Sequence, residues 1–183
     1  LGTEQMIGFY GASMTIISAI MLLPEGYRTA LFPMMARFQS KSTSAVTRLY
    51  EKSFKYLLLM ALPITLGLIL TSEEIIALIF KSEFAPAGAA LRIMAFALGF
   101  FFLNMLNSRL LIVYNRQSLI ARALLINTLV TIILDIILIP FLGVLGAAIS
   151  KSFTAGLLFI QDNIPREAMQ FRAEASFGMR TRR

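Results

Sequence analysis

Glu25 and Arg28 stand three residues apart inside an apolar run, 7–36, a spacing that puts both on one face of a helix. A carboxylate and a guanidinium so placed neutralise each other, the least costly way to carry both at membrane depth. Two readings stay open: an ion pair that fixes helix packing, or the lining of a watery cavity, since intramembrane charges default to function. Asn104, Asn107 and Ser108 share another helical face, and Arg109 follows at once. The amides could bond between helices, worth about 0.6 kcal/mol on average, or donate to a sugar or phosphate. Arg109 lies within about two turns of a helix end, where it can snorkel to the interface or form a cationic site for a diphosphate. Asp135 and Lys151 occupy two consecutive apolar runs. They could neutralise each other, or Asp135 could take up a proton or hold Na⁺ during transport.

Little else in the chain could do chemistry. Its 183 residues contain no cysteine and no histidine, which removes disulfides, thiolate metal sites, the usual general base and the commonest metal ligand. Ten acidic residues in all leave little room for a carboxylate active site. The expectation is a protein that is not an enzyme and holds no metal or cofactor.

The elements that must position these residues are membrane spans. Hydrophobic residues make up 57% and charged residues 15%, with a mean hydropathy of +0.76, far from the roughly 25% charge of soluble domains. A transmembrane helix needs about 20 mainly apolar residues, and five runs qualify: about 7–36, 56–80, 89–114, 119–140 and 144–160. Pro24 and Gly26 predict a kink in the first. Pro140-Phe141-Leu142-Gly143 turns the chain between the last two, so NTLVTIILDIILIPFLGVLGAAIS reads as a membrane hairpin. Gly143, Gly146, Ala147, Ala148 and Ser150 allow close backbone approach there. No run alternates with period 2, so the fold class is all-α, a polytopic helical bundle rather than a barrel. Residues 1–160 form the bundle, and 161–183 are read as a polar cytoplasmic tail.

Connection charges test that topology. Arg37, Lys41, Arg48, Lys52 and Lys55 follow the first span against Glu51 alone, and Arg116 and Arg122 follow the third. The connection between spans two and three holds Glu73, Glu74 and Glu83 against Lys81 and Arg92. Basic residues therefore fall on alternate connections, which places these and the Arg-rich tail in the cytoplasm and the protein in the cytoplasmic membrane. The net charge of +7 then reflects anchoring to anionic membrane lipids, not nucleic-acid binding. Segment 37–55 reads as a surface-lying amphipathic stretch with Leu49 and Phe54 among its basic residues.

Several local patterns follow a known order. IGFYGASMTIISAIMLLPEGYRTALFPMMARF resembles a helix of polysaccharide-type flippases, and LYEKSFKYLLLMALPITLGLILTSEEIIALIF resembles the helix and loop that follow it. APAGAALRIMAFALGFFFLNMLNSRLLIVYNRQ is similar to the next helix, and the hairpin to their "N..l…LiP..G..GAA" pair. Over about 7–159 the chain resembles the multidrug/oligosaccharidyl-lipid/polysaccharide exporter superfamily, nearest its Wzx-like flippases. That resemblance implies a transporter of a lipid-linked oligosaccharide with a polar central cavity, functionally linked to glycosyltransferases and a glycan polymerase. It carries no catalytic motif. Glu25, Arg28, Asn104, Asn107 and Arg109 are assigned to the cavity on local polarity alone. The chain corresponds to the front of the second helical bundle. QDNIPREAMQFRAEASFGMRTRR departs from the pattern, which raises the expectation of a truncated, non-transporting product. A drug/cation antiporter of the same superfamily is the remaining alternative, against which the basic residues favour an anionic substrate.

Overall fold

The computed structural model describes residues 3–39, 43–80 and 82–180, and within these every long element is helical. The helices are α1 (Thr3–Gln39), α2 (Thr43–Ile79), α3 (Ala85–Val113), α4 (Gln117–Leu142) and α5 (Val144–Arg180), with a 3₁₀ turn at Ser82–Phe84 before α3. All five are long and apolar enough to cross a bilayer. The expected all-α membrane bundle is therefore the observed architecture.

Helix α3 is the axis of the bundle. It packs against α1, α2 and α5, whereas α4 packs chiefly on α5. Its apolar residues Ala87, Ala90, Leu91, Met94, Ala95, Leu98 and Phe102 are almost wholly buried. Gly88 permits a close approach of α2: a Cβ there would lie 2.9 Å from Glu73 Cγ. Serine hydroxyls tie neighbours to this axis by donating to its carbonyls, buried Ser13 of α1 to Ala87 and half-buried Ser152 of α5 to Ile93, each at 2.9 Å. Helix α4 is the opposite case, the most apolar span and the least covered, with Ala123 as its buried residue.

Three expectations about the backbone change. Helix α1 runs without a break through Pro24 and Gly26. A proline removes one helical hydrogen bond, and in a membrane bundle neighbouring groups absorb that loss. The irregular backbone lies instead in α2, at Thr71 (φ −111°, ψ 17°). Second, segment 43–55 does not lie along the surface but forms the first turns of α2. Val46, Tyr50, Ser53 and Leu57, spaced by four, three and four, are buried in the bundle, and a helix with such a stripe extends inward rather than flat. Lys41 lies outside the described residues.

Third, α4 continues through Pro140 to Leu142, and Gly143 alone makes the turn. Its φ of +56° is left-handed, a conformation that glycine adopts without the Cβ penalty. A Cβ on Gly146 would fall 2.5 Å from the Leu138 carbonyl oxygen, so the small residues of the hairpin do permit backbone contact. Beyond it the helix passes residue 160, where the sequence suggested a tail. The backbone of α5 stays helical to Arg180, and among the described residues its candidate span covers Val144–Asn163.

Candidate functional site

Two faces of α3 carry polar groups, and they do different things. On the face toward α1, Arg28 and Arg109 line one cleft together with Pro24, Tyr27, Leu31 and Phe32 of α1, Leu57 of α2, and Met105 and Leu106 of α3. The cleft is small, with a cavity volume of about 10 Å³, and is partly open to the surroundings. Arg28 pairs with Glu25 one turn earlier, as their spacing predicts, yet its Nε is buried with no hydrogen-bond partner. The Arg109 guanidinium lies over the Phe32 ring, 5.6 Å from its centroid. Among the described residues no carboxylate pairs with Arg109. A cation on an aromatic face keeps its in-plane N–H groups free for an anion. The cleft wall is braced by Tyr27, whose hydroxyl donates to Ser53 Oγ of α2 at 3.0 Å.

On the face toward α5, the asparagines are consumed by packing. Asn104 Nδ2 donates to the Ala155 carbonyl at 3.0 Å. Asn107 accepts a short hydrogen bond from the Tyr50 hydroxyl of α2 and donates from Nδ2 to Asn163 Oδ1 at 3.4 Å. Ser108 donates to Asp162 Oδ2 at 3.2 Å. These bonds join α2, α3 and α5 in one buried seam, in which Asn107 and Asp162 are each 1% exposed. The seam is incompletely satisfied: Asn104 Oδ1 and Asp162 Oδ1 are buried without partners.

The grouping expected from sequence is therefore divided. Glu25, Arg28 and Arg109 come together, while Asn104 and Asn107 turn away from them. Adjacent helical residues point about 100° apart, so Ser108 and Arg109 serve different neighbours. Asp135 and Lys151 do not form the pair considered for them: among the described residues no ion pair joins them, and Asp135 interacts electrostatically with Tyr10 of α1. Sequence reasoning missed Tyr27, Phe32, Tyr50, Asp162 and Asn163. Tyr50 was legible as a member of the spaced stripe that includes Val46 and Ser53. Asp162 and Asn163 were hidden by the polar composition that follows them.

The family model for the lipid II flippase MurJ matches residues 13–175, nearly the whole chain and every residue of the cleft and seam. The chain belongs to the MurJ lipid II flippase family. The match continues past Ile160, where the sequence appeared to depart from the flippase pattern. Among curated proteins, the chain is 27% identical over 153 residues to the probable low-salt glycan biosynthesis flippase Agl15 of Haloferax volcanii, covering 83% of this chain and 32% of that protein. It is 24% identical over 160 residues to the uncharacterized membrane protein MJ1068 of Methanocaldococcus jannaschii, covering 87% of this chain and 32% of that protein. The chain thus spans about a third of the length of these relatives. No solved structure matches it. The resemblance to flippases of lipid-linked glycans holds at the level of that class, and MurJ is the family whose model matches.

Proposed function

We propose that this chain forms part of a flippase that carries an anionic lipid-linked glycan across the cytoplasmic membrane, and that Arg28 and Arg109 grip the phosphate linkage of its substrate. One observation carries the reading: two arginines 81 positions apart in sequence line the same cleft, and one has no acidic partner among the described residues. Family membership supports it, as does the glycan-flippase description of Agl15. Guanidinium groups bind phosphate oxygens in a bidentate fork, and hydrocarbon around the cleft weakens the competition from water.

On this reading Glu25 holds Arg28 in position while the cleft keeps a net charge of +1 from two arginines and one glutamate. A site of that sign suits a diphosphate and disfavours a cationic drug. The transport step breaks no covalent bond, so the protein is not an enzyme in this reading. Glycosyltransferases that build the lipid-linked glycan, and a polymerase that consumes it, are its functional neighbours. The alternation of basic connections supports a cytoplasmic location for the α1–α2 and α3–α4 ends, so the cleft opens in the inner half of the bundle.

The test uses the full-length protein. Arg109→Ala and Arg28→Ala should each lower export of the lipid-linked glycan tenfold or more, and Arg109→Lys should restore part of it. Normal export by both alanine variants would remove the cationic cleft from the mechanism.

A further inference from the structure

Helix α2 carries a second ordered pattern, on its outer side. Its 37 residues extend about 55 Å at 1.5 Å per residue, whereas the hydrocarbon core of a bilayer is about 30 Å thick. One end of α2 must therefore stand in the headgroup layer. Arg48, Lys52 and Lys55 lie at that end, all exposed. They are followed by Leu59, Leu62, Leu66 and Leu70, which are 66%, 53%, 56% and 73% exposed. Steps of four, three, four, three, four and four keep all seven within an arc of about 80°, at about 100° per residue. The opposite side of α2 is the packed one, with Val46, Tyr50, Ser53, Leu57, Ala61 and Leu68 buried.

We propose that this stripe binds an anionic phospholipid of the surrounding bilayer, its phosphate held by Arg48, Lys52 and Lys55 and an acyl chain lying along the four leucines. The dimensions agree. Leu59 to Leu70 covers about 16 Å of helix, close to the roughly 15 Å hydrocarbon half-thickness of one leaflet. Tyr56, 56% exposed, marks the boundary between the charged turns and the leucines, the level at which tyrosine rings concentrate in membranes. Charge agrees too. Glu51 stands at the edge of the basic turns, so three cations and one acid leave +2 there, and no ion pair engages the three among the described residues. Cations at a membrane surface attract anionic lipid, and the attraction grows with each one added.

A transmembrane helix from elsewhere in the polypeptide is the competing occupant. Contacts between such helices favour glycine, alanine and serine, which let backbones approach. This stripe offers only leucines and long basic side chains, and a flexible acyl chain fits it better. The bound lipid lies directly behind Leu57, which lines the cleft, and behind Tyr50 and Ser53, which bond to α3 and α1.

The experiment reconstitutes the full-length protein into vesicles of phosphatidylcholine with or without phosphatidylglycerol, free of any glycan lipid, and follows lipid retention by native mass spectrometry. The wild type should retain phosphatidylglycerol in preference to phosphatidylcholine. The triple variant Arg48→Gln, Lys52→Gln, Lys55→Gln should lose that preference at least tenfold, while Glu51→Gln keeps it. Undiminished preference in the triple variant overturns the proposal. A photoreactive residue replacing Leu62 gives a readout that does not depend on that variant folding. Crosslinks to phospholipid support the stripe as a lipid site, and crosslinks to another segment of the polypeptide overturn it. Neither result depends on whether Arg28 and Arg109 hold substrate.

Discussion

The two polar faces of α3 begin from similar ingredients and end with opposite roles. Toward α5, Asn107 and Ser108 spend their hydrogen bonds on Tyr50, Asn163 and Asp162. Toward α1, Arg109 meets an aromatic ring and a second arginine, and no carboxylate pairs with it among the described residues. The difference teaches that polarity inside a membrane does not by itself mark a ligand site. What separates the faces is whether the neighbouring helices supply complementary groups. A seam that satisfies most of its own polar groups contributes rigidity, whereas a cleft with unused donors leaves them available.

The largest effect should come from the cleft. Replacing Arg109 with alanine removes a charged donor and leaves no orphaned carboxylate, so export should drop tenfold or more while the melting temperature of the full-length protein hardly moves. Arg28→Ala should lower export similarly but also cost some stability, because Glu25 loses its partner. Hydrogen bonds to charged groups contribute about 1.5–3 kcal/mol, and each 1.4 kcal/mol is about tenfold. Equal losses of stability and export in Arg109→Ala would collapse the distinction between the two faces.

The seam should show the reverse pattern at smaller size. Asn107→Ala removes the acceptor of the Tyr50 hydroxyl and the donor to Asn163 Oδ1, at about 0.5–1.5 kcal/mol for each hydrogen bond lost. Denaturation in detergent should register that loss, with export per folded molecule unchanged. Asn104→Ala should matter least, about 0.6 kcal/mol for one interhelical bond in a membrane. It removes an amide that bonds only through Nδ2 and leaves the already unpartnered Oδ1 out of account. If Asn104→Ala instead lowers export more than stability, the seam is a transport element and the comparison must be redrawn.

Much of this was legible beforehand, for a simple reason. Five apolar runs, alternating basic connections and a tight hairpin are one-dimensional signals, and each has a physical cause that acts along the chain. The Glu25–Arg28 pair was legible too, because a spacing of three residues suffices to make helical neighbours. The unbroken path of α1 through Pro24 was not, since a proline inside an apolar run reads equally as a break or as a tolerated residue. Nor was the packing of Asp162 and Asn163: a polar sequence reads as tail until another helix presents groups to receive it.

The sequence by itself determined that this protein lives in a bilayer, that its helices are long, and that few of its residues can do chemistry. Hydrophobic transfer and helical periodicity are enough for that. Tertiary structure alone decided which polar residues meet. Arg28 and Arg109 converge because α1 and α3 cross at their turns, and Asn107 is diverted because α2 and α5 reach it first. Proximity across 81 residues is a property of packing, and packing decided which charge remained available for a ligand.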